Sequence, residues 1–91
     1  MKAIGYRTPS PISAAEAFVD IELPKPQPKD RDILVEVKAI SVNPVDYKVR
    51  CSTPPADGAE WKVLGWDVAG IVAAVGPDVT GFKVGEEVWY A

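Results

Sequence analysis

The chain predicts a mainly β domain with one short helix, on three observations. Nine prolines and seven glycines in 91 residues interrupt it too often for a helix bundle. Two stretches rich in Val, Ile and Ala, "ILVEVKAISV" and "VAGIVAAV", have strand composition. One segment alone, opening at Asn43-Pro44, carries the start signals of a helix. Length bounds the rest, because a chain this short buries roughly 60–65% of its unfolded surface and supports one modest core.

Met1 to Tyr6 reads as an opening strand, and "TPSPIS", Thr8 to Ser13, as a loop broken by proline. A second strand runs from Ala17 to Leu23, where Pro24, Pro26 and Pro28 end it in an extended connection. Asp30-Arg31-Asp32 forms a turn before the clearest strand, in which Leu34, Glu36 and Lys38 alternate with Ile33, Val35, Val37 and Ala39. The charged face stops at Ile40, which predicts burial on both sides towards Val42. Pro44 to about Arg50 is one or two helical turns. "CSTPPADGAEWK" is a long loop, and "VLGWDVAGIVAAVG" a second buried strand, apolar from Val68 to Val75. Turns fall at Pro77-Asp78 and at Gly81, with Phe82 and Val84 expected as inward anchors. "VWYA" begins another strand; because Val88 to Ala91 are residues of a strand interior, the chain is expected to be the leading piece of a longer protein.

Composition removes several classes of function. A net charge of -3 supplies no basic face, so neither nucleic acid nor an anionic membrane is an expected partner. No apolar run reaches the ~20 residues of a membrane span. Cys51 is the single cysteine, so no internal disulfide forms and a reducing cytoplasm is the expected setting. Histidine is absent altogether. Ser-His-Asp and Cys-His systems therefore cannot be built from this chain, and one thiol without imidazoles makes a poor zinc shell.

The glycines Gly65, Gly70, Gly76, Gly81 and Gly85 do not follow the G-x-G-x-x-G spacing of a dinucleotide loop, and β-type segments follow them. Bulges and tight turns account for them better. "NPVD" has a local explanation as well: Asn43 is a favoured N-cap, Pro44 suits the first helical position, and Asp46 faces the unpaired amides of the first turn. That explanation leaves Tyr47, Lys48 and the later pair Trp66-Asp67 unaccounted for.

Taken together, "MKAIGY", "ILVEVKAISVNPVDYKVR" and "LGWDVAGIVAAVGPDVTGFKVGEEVW" resemble the N-terminal catalytic part of the medium-chain dehydrogenase/reductase superfamily. The nearest branch is similar to zinc-type alcohol dehydrogenase-like proteins and quinone oxidoreductases. The resemblance covers nearly the whole chain. It implies a GroES-like, partly open β-barrel with one short helix, of which residues 1–91 are an incomplete portion lacking the Rossmann cofactor domain. It implies NADPH as cofactor, and a small quinone, enone or carbonyl as substrate. It also implies a homodimeric parent. A separate reading is that the exposed strand edges of an incomplete domain pair with another copy.

Zinc-dependent members of the family place a cysteine where this chain has Asn43, and a histidine and a glutamate where it has Trp66 and Asp67. These departures imply a zinc-free site. Asn43, Tyr47 and Lys48 are then the catalytic candidates, Asn43 and Pro44 the cofactor contacts, and Val45, Asp46, Trp66 and Asp67 the substrate pocket. The isolated piece is expected to be silent without its cofactor domain. The competing reading is a stand-alone GroES-like binding module of co-chaperonin type, with the "CSTPPADGAEWK" loop as its mobile segment; sedimentation as a heptamer would favour it.

Overall fold

The computed structural model describes all 91 residues. Six strands and one helix follow in the order β1 (Lys2–Tyr6), β2 (Val19–Glu22), β3 (Ile33–Ser41), α1 (Pro44–Ser52), β4 (Lys62–Val63), β5 (Asp67–Val75) and β6 (Glu87–Tyr90). They make two separate three-stranded sheets rather than a closed barrel. The chain divides into two compact units, residues 1–24 with 42–65, and residues 25–41 with 66–91.

In the first unit β1 is the central strand, with β2 and β4 antiparallel on either side. Ala3 faces Ile21 and Gly5 faces Val19 across one ladder, while Tyr6 faces Lys62 across the other. Tyr6, Ala17 and Ile21 form the core of this unit, with Tyr6 only 1% exposed. Burying a side chain of that size contributes on the order of 2 kcal/mol, so much of the unit's stability rests on one ring. β4 went unforeseen, since a two-residue strand has no periodicity to read and is defined by its partner.

α1 starts where the residue types say it should. Asn43 is extended (φ -128°, ψ 164°), Pro44 opens the helix, and the Asn43 backbone N–H donates to Asp46 Oδ2 at 2.7 Å. The Asp46 N–H in turn donates to the Asn43 carbonyl at 2.9 Å. The helix runs through Cys51 and Ser52, whose hydroxyl donates to the Lys48 carbonyl at 2.8 Å, so these two residues belong to α1 and not to the loop. The loop proper spans residues 53–61.

In the second unit β5 is central, with β3 and β6 antiparallel beside it. The β3–β5 register shifts between Leu34 and Val35 and again between Val37 and Ala39, and Gly70 sits opposite Val37 at the second shift. A Cβ on Gly70 would collide with the Glu36 carbonyl oxygen and lie 2.7 Å from Val35 Cγ1. Only glycine fits there. The turn before β3 is fastened to the one after β5: Gly76 N–H donates to the Asp32 carbonyl at 2.8 Å and Asp78 N–H to that of Asp30 at 2.9 Å. Asp30 takes a left-handed conformation (φ 49°), which aspartate tolerates better than most residues.

Two expectations about burial fail. Ile40 and Val42 are 67% and 79% exposed, so the end of β3 is open where burial on both sides was expected. Phe82 and Val84 are 46% and 63% exposed and are not inward anchors. The reason is the same in both places. Val72 is the one fully buried apolar side chain of this unit, so its other apolar residues are at most partly covered. Apolar composition states what a surface favours, and geometry decides whether anything covers it.

Candidate functional site

Every candidate from Asn43 to Lys48 lies in the cap and first turns of α1. Helical spacing divides the element into two arcs. Asp46, Val49 and Arg50 lie inward, half-buried or buried; Pro44, Val45, Tyr47, Lys48 and Cys51 are exposed. Tyr47 is 59% exposed, so its hydroxyl and the Lys48 ammonium are both on the open side of the helix. Asn43 is half-buried at the entrance.

Asp46 is the hinge of this corner. One carboxylate oxygen is committed to the Asn43 amide, while Oδ1 is buried without a hydrogen-bond partner. A carboxylate at a helix start is favoured by the unpaired amides and the helix dipole, which offsets part of its desolvation. Asp46 therefore shapes the corner from inside, through the Asn43 backbone amide.

The far end of α1 is held by two residues that sequence reasoning left out of the site. Tyr6 directs its hydroxyl at the Thr53 carbonyl, 2.6 Å away, and the Val49 carbonyl, 3.1 Å away. Burial pushes its phenol above the ordinary value, with the Arg50 charge acting in the opposite sense. Arg50, 5% exposed, donates from Nη1 to the Ser10 carbonyl at 2.8 Å and lies 5.6 Å from the Phe18 ring centre. One signal could have found Arg50. It falls four residues after Asp46, on the arc that an N-cap carboxylate fixes as inward.

Trp66 and Asp67 belong to the second unit. Trp66 is 38% exposed and immediately precedes β5; Asp67 opens that strand opposite Ser41. Asp67, Ser41 and Ile40 line an open hollow of about 370 Å³ whose other wall includes Trp89 and Tyr90, and Trp66 does not line it. Of these two substrate-pocket candidates, Asp67 lines this hollow and Trp66 does not.

Zinc does not fit the donors of this chain. There is no histidine, the one thiol is Cys51 on the exposed arc of α1, and no group of three or more Cys, Asp or Glu is gathered anywhere. An amide at residue 43 and an indole at residue 66 are not substitutes for thiolate and imidazole in a tetrahedral shell. No helix is long and apolar enough to cross a membrane.

Six strands in two open antiparallel sheets, with one capped helix following β3 in the chain, make a mainly β domain. Residues 29–91 match the family described as the alcohol dehydrogenase GroES-like domain, and the chain belongs to that family. It is 45% identical, over its whole length, to a zinc-type alcohol dehydrogenase-like protein of Staphylococcus aureus, of which it covers 26%. A trans-enoyl reductase of Pyricularia oryzae is 43% identical over 77% of the chain and 19% of that protein. Among solved structures, a protein of Rhizobium etli provisionally described as a zinc-dependent alcohol dehydrogenase superposes with a TM-score of 0.94 at 66% identity, over all of this chain and 26% of its own. Escherichia coli quinone oxidoreductase, solved with NADPH, gives 0.85 at 31% identity, over all of this chain and 27% of its own. The chain thus spans about a quarter of the length of the proteins it matches.

Proposed function

We propose that this chain is the N-terminal part of the catalytic domain of a zinc-independent oxidoreductase, which uses NADPH to reduce quinones or activated double bonds. One observation carries the reading. The capped corner Asn43–Lys48 presents an amide, a phenol and an ammonium, and no metal donor set stands anywhere in the chain. The likeness to a quinone oxidoreductase solved with NADPH supports the cofactor, and the likeness to a trans-enoyl reductase supports the alternative acceptor.

A nicotinamide, when bound, supplies the hydride. Reduction of a quinone or enone builds negative charge on the carbonyl oxygen, and the corner offers what that charge needs. The Asn43 side-chain amide donates an N–H to the oxygen and orients it, with Pro44 giving the cofactor a rigid edge. Tyr47 or Lys48 delivers the proton that neutralises it. Val45 contributes apolar surface beside them. Donors fixed before the reaction are effective because they need not reorganise as charge develops. A cap that locks the backbone at Asn43 is therefore a suitable mount.

The test uses the full-length protein after exhaustive chelation, with NADPH consumption followed against a benzoquinone and against an enone. Turnover unchanged by metal removal is the expected result. Loss of turnover on chelation with recovery on adding Zn²⁺ would refute the reading. Residues 1–91 alone are expected to consume no NADPH beyond the buffer rate.

A further inference from the structure

We propose that Arg50 is a positioning residue of the site, a guanidinium clamp that sets the tilt and rotation of the helix presenting Asn43, Tyr47 and Lys48. The inference rests on the reading of that corner given above, and it starts from an unusual burial. Arg50 is the one buried charged residue of the chain, 5% exposed, yet no carboxylate pairs with it. Its contacts are the Ser10 carbonyl at 2.8 Å, the Phe18 ring at 5.6 Å, and the Cys51 sulfur at 3.4 Å.

Filling space does not explain this choice. Taking a charge out of water is costly, and apolar residues of similar volume commonly replace buried ions with no loss of stability. What a guanidinium supplies and a Leu or Met does not is direction, because a planar fork meets a carbonyl and a ring in one orientation. The fork joins the helix to Ser10, in the loop after β1, and to Phe18, just before β2. Both anchors lie far away in sequence and outside the helix, so they report on where the helix sits.

The lever is short. Arg50 and Asn43 are seven residues apart, about 10 Å along a helix, and a tilt of about 6° at one end moves the other by about 1 Å. A misplacement of that size can cost on the order of a hundredfold in rate. Arg50 lies on the inward arc with Asp46, while Tyr47 and Lys48 are on the open arc, so any effect on chemistry is transmitted through the helix and not by contact with substrate.

The full-length protein tests this with Arg50→Met, Arg50→Lys and Phe18→Leu, each assayed for kcat and for both KM values per mole of folded protein, with thermal melting alongside. Arg50→Met is expected to lower kcat about tenfold or more while KM for NADPH stays within about twofold. Arg50→Lys keeps a donor for the Ser10 carbonyl and should recover part of the loss. Phe18→Leu should lower kcat less, and the Arg50→Met/Phe18→Leu pair should be no worse than Arg50→Met alone. A lower melting temperature with wild-type kcat in the folded fraction would overturn the proposal, leaving Arg50 a structural residue. Should Arg50→Met not fold, the other two single variants decide: wild-type kcat in both overturns it. If the wild-type protein reduces neither acceptor, the functional reading fails. The clamp is then judged by amide exchange across residues 47–50 in Arg50→Lys and Phe18→Leu, with unchanged exchange as the overturning result and acceleration as the supporting one.

Discussion

The Tyr6 hydroxyl lies 2.6 Å from the carbonyl oxygen of Thr53, so the first strand closes the last turn of the only helix across 47 residues of sequence. Carbonyls at a helix end have no partners within the helix, and a phenol is an uncommon way to supply one. Because Tyr6 is also the most buried large side chain of its unit, its packing and its hydrogen bond act at the same point.

Tyr6→Phe keeps the ring and removes the donor. The variant should unfold in urea at a lower midpoint, by about 1–2 kcal/mol, the usual cost of leaving one buried acceptor unpaired. Its pH dependence gives an independent check. Burial raises the Tyr6 pKa above its ordinary 10.0 in the folded chain. A group with a raised folded pKa contributes stability that is complete below the unfolded value and is lost as pH rises through the folded one. Wild-type protein should therefore lose stability above pH 10 more steeply than Tyr6→Phe, and the two midpoint curves should converge in alkali. Parallel curves would mean that the phenol ionises equally in both states.

Asp46 separates capping from charge. Asp46→Ala removes the acceptor of the Asn43 amide and should cost about 1 kcal/mol. Asp46→Asn keeps an acceptor oxygen and forfeits only the charge that favours a helix start, so it should cost less, about 0.3–1 kcal/mol. Denaturant midpoints of the two variants rank the contributions. An Asn variant as unstable as the Ala variant would show that the ionised form, and not the hydrogen bond, holds this corner.

The capped corner was legible because its determinants are local. Asn43, Pro44 and Asp46 are each explained by backbone groups within three residues, and the helix starts where they place it. The strands were legible for a similar reason, since β1, β2, β3, β5 and β6 follow from composition and turn residues alone. Ile40, Val42, Phe82 and Val84 were misread because burial is a property of what lies opposite. Arg50 was missed for the complementary reason. A charged residue on a helix reads as solvated until the Ser10 carbonyl and the Phe18 ring, distant in sequence, are seen around it. The family resemblance supplied what no pattern in the residues could, the expectation that this corner faces a nicotinamide.

Gly70 tests the register of the second sheet. Gly70→Ala places a methyl against the Glu36 carbonyl and Val35 Cγ1, both on the shifted strand β3. Backbone atoms cannot swing aside, so the strands must separate, at about 1–3 kcal/mol or more. Gly58→Ala has open space around its Cβ, although its φ of 80° strains an alanine, and it should cost about 1–2 kcal/mol. Amide exchange in β3 and β5 should accelerate for the first variant and stay unchanged for the second. Acceleration in neither would mean that the bulge absorbs the methyl.

Asn43 has two proposed roles in one side chain, helix cap and oxyanion donor, and substitution can part them. Asn43→Asp preserves a favoured N-cap and removes the amide N–H donors, whereas Asn43→Ala removes both. If Asn43 only caps the helix, Asn43→Asp should turn over like wild type and Asn43→Ala should lose stability alone. If it donates to the developing oxyanion, Asn43→Asp should lose about 10²-fold in kcat with an unchanged melting temperature, because one fixed donor in such a site is worth about that much. Tyr47→Phe and Lys48→Met complete the set. Both side chains are on the open arc, so neither change should move stability by more than about 0.5 kcal/mol. The one whose loss also removes the pH dependence of kcat for the quinone is the proton donor, and the expected outcome is that one of the two does so while the other leaves kcat within a few-fold. Measured in the full-length protein, wild-type turnover in Asn43→Asp, Tyr47→Phe and Lys48→Met together would remove the chemistry from this corner and leave it a helix cap.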